Sequence, residues 1–303
     1  MRRELAAVYD ELLRRQREGE KSVFLTEEAL SILREAARED SPASEAQEGA
    51  PERDRQTIVP ELSKAPAGEK TAPKKARAVA KPELKVPEAP VVDLPEGDRQ
   101  ARWEALRGQV LTDAWCLSQV KPGKQVVFGV GNIDARIFFC GEAPGADEEI
   151  RGEPFVGPAG QLLTKIIQAM GLQREDVYIA NIMNYRPPLP SPIGNRPPEP
   201  QEMAYCLPYL LGQLEIVQPE VIVALGNTAI EGLLGHDPKR RIGKIRGQWM
   251  EFKGIPLLPT YHPSYLLRNQ GLHAKRQVWE DMLTVMDRLG MQVSEKQRGY
   301  FLK

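Results

Sequence analysis

Four short apolar runs constrain this chain more than anything else in it: 136–140, 177–180, 221–225 and 255–258. Each is strand-length, made mostly of apolar residues, and reads as a buried strand. Between them the apolar residues change to helical spacing. Leu162, Leu163, Ile166, Ile167 and Met170 make one stripe, and 202–216 and 229–234 supply two more helices. Val278, Trp279, Met282, Val285 and Met286 make the apolar face of a last helix over 275–289. Buried strands alternating with amphipathic helices predict βαβ units, so the fold class is α/β: a three-layer α/β/α sandwich around a central, mainly parallel four-stranded sheet. The runs end at Gly141-Glu142, Asn181, Gly226-Asn227 and His262. Parallel strands bring such ends to one edge, which is where open α/β sheets bind ligands.

The flanks are different in kind. Residues 1–40 carry two short helical stripes, one over 4–16 with Leu5, Val8, Tyr9, Leu12 and Leu13, and one from Thr26 toward Ala37. Neither buries much alone, so this appendage is expected to dock on the main domain or on a protein partner. Residues 41–98 contain nine prolines and no aromatic residue, and are expected to be a disordered linker. Order is expected over 99–290, beginning with a helix through Trp103, Leu106, Val110 and Leu111, with a loop from Cys116 to Lys124 and a tail over 291–303. The net charge of −1 gives no global pull toward nucleic acid, so any basic face is local. Three cysteines without a CxxC pair suit a reducing compartment. Met1-Arg2-Arg3-Glu4 lacks a signal-peptide core, and no apolar run approaches the ~20 residues of a spanning helix. The expectation is a cytoplasmic monomer with no membrane contact.

The motifs around the strand ends are specific. They are Gly141-Glu142-Ala143-Pro144-Gly145, Glu148-Glu149, Gly152-Glu153-Pro154-Phe155-Val156-Gly157-Pro158-Ala159-Gly160, Asn181 with Arg186-Pro187-Pro188, Asn195-Arg196-Pro197-Pro198, and Tyr261-His262-Pro263-Ser264-Tyr265-Leu266-Leu267-Arg268. Over roughly 100–289 this set resembles the family-4 uracil-DNA glycosylases of the uracil-DNA glycosylase superfamily. The resemblance implies a monofunctional DNA-repair hydrolase that flips uracil out of DNA and cuts its N-glycosidic bond, leaving an abasic site.

Chemistry can be argued for the same residues. A flipped pyrimidine needs an aromatic platform, and Phe155 lies in a glycine-flanked loop suited to one. Asn181 can donate and accept at once, which matches uracil's O4 and N3–H and mismatches cytosine. His262 matches the family's donor to the O2 of the departing base, where negative charge develops. Related families carry an Asp where Ala143 stands, so catalysis here leans on leaving-group stabilisation, with Glu142 positioning water or touching substrate. Glu148, beside small Gly145, resembles the carboxylate that occupies the space of thymine's methyl. Leu266 and Leu267 resemble a wedge that enters the duplex behind a flipped base. Ser264 and Arg268 suit phosphate contact, as does the basic strip Lys239, Arg240, Arg241, Lys244 and Arg246.

The sequence departs from the family at its [4Fe–4S] cluster. Cys116 and Cys206 match two of the four ligand positions, but the other two fall near Asp113 and at Tyr185, and Cys140 lies inside a strand. Two thiolates are too few for an all-cysteine cluster, so no cofactor is expected. Other readings keep the fold: a glycosylase for another deaminated base such as hypoxanthine, or a non-catalytic binder of damaged or single-stranded DNA. A dinucleotide-binding oxidoreductase lacks its GxGxxG fingerprint.

Overall fold

The computed structural model describes residues 85–189 and 194–302. The N-terminal helices and the linker up to residue 84 lie outside the described residues.

In chain order the elements are α1 (Arg99–Thr112), α2 (Ala114–Gln119), β1 (Val130–Gly131), β2 (Ile137–Gly141), α3 (Ala146–Arg151), α4 (Pro158–Ala169) and β3 (Tyr178–Asn181). Then come α5 (Pro200–Val217), β4 (Val221–Leu225), α6 (Asn227–Leu234), α7 (Ile242–Ile245), β5 (Met250–Phe252) and β6 (Ile255–Thr260). The chain closes with α8 (Pro263–Arg268), α9 (Leu272–Arg288) and α10 (Glu295–Arg298).

The four expected strands pair in parallel in the order β3-β2-β4-β6. Two short antiparallel strands, β1 and β5, extend the edges, so the sheet has six strands rather than four. Their two or three residues carry too little apolar pattern to be read in advance.

Side-chain alternation along the strands builds two cores. Phe138, Cys140, Tyr178, Ala180, Ile222 and Ala224 face Leu106 and Val110 of α1, Leu210 and Leu214 of α5, and Ile230 of α6. Ile137, Phe139, Ile179, Val221 and Val223 face Leu163 and Ile167 of α4 and Trp279, Met282, Val285 and Met286 of α9. The helix that follows β2 thus packs on one face and the helix that follows β4 on the other. A crevice must open between the carboxyl ends of these neighbouring strands.

Both ends of the expected domain run further than the composition suggests. Residues 85–98 are not linker, because Val86, Val92 and Leu94 pack on the core. Gln109 Nε2 donates to the carbonyl of Asp93 at 2.6 Å, and Asp98 caps α1 through Ala101 N at 2.7 Å. Apolar residues spaced among prolines dilute in a composition average but still bury individually. The expected tail is also folded: Met291, Val293 and Tyr300 join the core, and Trp279 Nε1 donates to the Gln297 carbonyl at 2.6 Å. Cys116 lies in α2 rather than in a loop.

Candidate functional site

Gly141 and Asn181 sit in register at the ends of β2 and β3. A Cβ on Gly141 would stand 2.3 Å from Asn181 Oδ1 and 2.4 Å from Phe155 Cζ. The missing side chain therefore lets the amide and the phenyl ring meet above the strand tip. Glu148, in the first turn of α3, accepts from the amides of Gly145 at 3.0 Å, Val156 at 3.0 Å and Gly157 at 2.9 Å. One buried carboxylate thus ties the start of α3 to the loop that presents Phe155.

That loop is tightly built. Phe155 has φ 54, in the left-handed region that L residues other than Asn and Asp seldom enter. Arg174 Nη2 donates to the Pro154 carbonyl at 2.5 Å. A Cβ on Gly160 would fall 1.8 Å from the Phe155 carbonyl oxygen. Gly160→Ala is therefore expected to destabilise the domain by roughly 1–3 kcal/mol, the usual cost of overpacking against atoms that cannot yield. Thermal unfolding would check this, and an unchanged midpoint with full activity would show that the loop can move aside.

Opposite Phe155 stands His262, at the end of β6 and the N-cap of α8. Ring centroids are 5.6 Å apart with planes at 34°. Ser264 N donates to His262 Nδ1 at 3.1 Å, and Ser264 Oγ lies 2.8 Å from the same atom. With Nδ1 accepting, the neutral ring carries its proton on Nε2. Burial, assisted by the Arg268 charge, lowers the imidazole to about 4, so the ring is a neutral donor at ordinary pH. Gly226, at φ +89, leaves room for it: a Cβ there would touch His262 Cβ at 3.0 Å.

These groups open onto one cavity of about 550 Å3. Glu142, Ala143, Gly145, Glu148, Phe155, Asn181, His262, Ser264, Leu267 and Arg268 all border it. Burial raises the Glu142 carboxyl above its ordinary value, a hydrogen bond from Thr228 opposes this, and Glu231 adds to the rise. Asn181 Oδ1 is buried without a hydrogen-bond partner. An unpaired buried acceptor costs about 1–3 kcal/mol, so its place on a cavity wall points to a ligand donor.

Three sequence expectations need correction. Leu266 does not join Leu267 as a wedge: it is buried in α8 beside Ala274 and Val278, away from the cavity, and only Leu267 projects, 40% exposed. The helix is six residues long, started by Pro263, and too short to show as a helical stripe. Ser264 spends its amide and hydroxyl on His262, so it orients the imidazole instead of standing free for phosphate. Arg246 leaves the basic strip, because its guanidinium pairs with buried Asp281 at 2.7 Å and 3.1 Å.

Sequence reasoning also gave no role to part of the wall that borders the cavity, at Asn195, Arg196 and Pro197. Arg196 is forked onto fully buried Glu202 at 2.7 Å to each oxygen, and Arg186 reaches Glu149 at 2.8 Å and Asn195 Oδ1 at 2.9 Å. The signal was Glu202, an acidic residue in the first turn of a helix that is largely buried.

Comparison with known proteins agrees with this geometry. Residues 128–283 match the family described as the Uracil DNA glycosylase superfamily. A Type-4 uracil-DNA glycosylase of Thermotoga maritima is 48% identical over 158 residues, covering 52% of this chain and 79% of that protein. Proteins of the same description from Archaeoglobus fulgidus and Saccharolobus solfataricus are each 43% identical, over 46% and 48% of this chain and 70% and 68% of their own.

Proposed function

Because the chain belongs to the uracil-DNA glycosylase superfamily, we propose that the domain excises uracil from DNA by hydrolysing the bond between the base and its deoxyribose. The observation that carries this reading is the buried, unpartnered amide oxygen of Asn181, a residue that lines one cavity together with Phe155 and His262. An extruded uracil stacks on Phe155, gives its N3–H to Asn181 Oδ1, and takes the Asn181 amide hydrogen on O4. His262 Nε2–H then points at O2. As the C1′–N1 bond breaks, its electron pair leaves with the base as a uracil anion, and the sugar takes on oxocarbenium character. A water adds to C1′ and loses its proton, with Glu142 in its ionised form as acceptor, leaving uracil and an abasic site. No lysine borders the cavity among the described residues, which favours water over an amine as nucleophile.

The cysteine positions support a domain that stands without the cluster of its family resemblance. Cys116 and Cys206 are buried side by side, and a hydrogen bond from Cys206 together with burial raises the Cys116 thiol. Asp113 is already occupied: Oδ2 accepts from Tyr205 at 2.8 Å and Tyr209 at 2.9 Å, and Oδ1 from Cys116 N at 2.7 Å. Burial raises that carboxyl, but these hydrogen bonds outweigh it and hold it low. Tyr185, fully buried, fills the last position and accepts from Trp115 Nε1 at 3.3 Å. Purified protein should contain no iron and show no visible charge-transfer band. Asp113→Ala should cost about 1–3 kcal/mol, since two buried hydroxyls lose their acceptor. Stoichiometric iron would overturn this reading.

The expected partner is uracil-containing DNA, acted on by a domain that includes residues 85–98 and the folded tail. Among the described residues no helix is long and apolar enough to cross a membrane. The deciding experiment incubates the protein with single- and double-stranded oligonucleotides carrying one uracil and measures free uracil and strand scission after alkali. Release of uracil is expected; tight binding without release would favour a damaged-DNA binder, and release of hypoxanthine from a parallel set of oligonucleotides carrying one hypoxanthine, with uracil retained, would favour the other deaminated-base reading.

A further inference from the structure

Across Leu267 from the uracil cavity lies a second cavity of about 340 Å3, at the low end of the ~300–1,000 Å3 of small-molecule sites. Leu267 borders both. The walls of the second are almost wholly apolar, from Leu162 and Ile166 of α4, Leu266 of α8 and Val278 of α9. Phe301 stands at its edge, 40% exposed and held at φ 60, a backbone state that costs energy for a bulky residue. Lys165 and Lys275 border the groove. Among the described residues the ion pair that uses a lysine is Lys124–Glu149, so both groove ammonium groups are without a carboxylate.

We propose that this groove is a second nucleoside subsite, which takes the base next to the uracil on the same strand while Lys165 and Lys275 hold phosphates of that strand. The proposal rests on the uracil-excision reading. A neighbouring nucleotide must lie within one backbone step of the uracil cavity, and Leu267 is the partition between the two spaces. Every base has an apolar π-face, so an apolar slot with an aromatic edge accepts any of them without reading sequence. Lysine on a flexible stem suits a phosphate as a point charge that positions but does not specify. An exposed phenyl ring at the slot is explained by a stacked base.

The test uses single-stranded oligonucleotides with one uracil, in which an abasic spacer replaces the base on either side. Removing the base on one side should raise KM about tenfold, the loss of one stacked base, with kcat little changed. Phe301→Ala combined with Lys165→Ala, both exposed side chains, should raise KM on the intact strand by a similar factor. In that variant the spacer should make no further difference. A 2-aminopurine at the sensitive position should change fluorescence on binding to wild type and not to the variant, a readout that needs no turnover. Indifference of KM and of 2-aminopurine to the neighbouring base overturns the subsite while leaving uracil release standing. Absence of uracil release from every strand, with the fluorescence change intact, keeps the subsite and sinks the glycosylase reading. A concentration-dependent dimer that the double variant abolishes, with no dependence on the neighbouring base, would make the groove a contact between copies of this chain and overturn the proposal.

Discussion

Asn181→Ala is expected to lower kcat/KM for uracil release by roughly 10²–10³, the loss of one donated and one accepted hydrogen bond in a buried site. The fold should survive, since Asn181 Oδ1 has no partner within the protein and its removal leaves no group newly unpaired on that side. The variant should therefore unfold at or above the wild-type temperature while turnover collapses. Asn181→Asp separates recognition from bulk. An ionised carboxylate can accept from cytosine's 4-amino group and repels uracil's O4, so the cytosine-to-uracil ratio of kcat/KM should rise. Rates within a factor of two of wild type for Asn181→Ala would mean that uracil is read elsewhere, and the mechanism above would fail with it.

His262→Ala should lower kcat by about 10²–10³ with a smaller change in KM, because its donor meets charge that exists only as the bond breaks. His262→Gln, which can aim an amide N–H along a similar path, should recover part of the loss. The pH dependence supplies an independent check. The folded-state value of about 4 lies below the ordinary 6.5, so the unfolded chain binds the extra proton between these limits. His262 therefore contributes stability that is complete above pH 6.5 and falls as pH drops toward 4. The same displacement means that activity should show no His262 limb between pH 5.5 and 8. A limb near 6.5 that disappears in His262→Gln would show that the ring titrates normally and acts as a cation. Ser264→Ala should be milder, as it frees Nδ1 of its hydroxyl neighbour but keeps the backbone donor.

Much of the site was legible because it lies at strand ends. Gly141, Asn181 and His262 each follow an apolar run, and parallel pairing must carry such ends to one edge whatever the loops do. Phe155 was legible from its glycines, though their reason differs from simple freedom: Gly141 and Gly160 are small because the ring and its carbonyl occupy the space a Cβ would take. What stayed hidden depends on long-range partners. Glu148 was named only through the family resemblance, and its tie to the loop that presents Phe155 emerges only when three amides, from Gly145 and from that loop, are seen to converge on it. Leu266 and Leu267 are the same residue type side by side, and only packing against Ala274 and Val278 sends one inward and leaves the other at the cavity.

The amino-acid order alone determined the layer architecture, the four parallel strands and the edge on which a site must form, because hydrophobic periodicity and strand polarity are local properties that pairing cannot reverse. Tertiary structure alone decided that residues 85–98 and 291–302 pack with the folded domain, the tautomer of His262, the partners of Asp113 and the division of labour between neighbouring leucines. Those are set by contacts between residues far apart in the chain, whose distances no local pattern encodes.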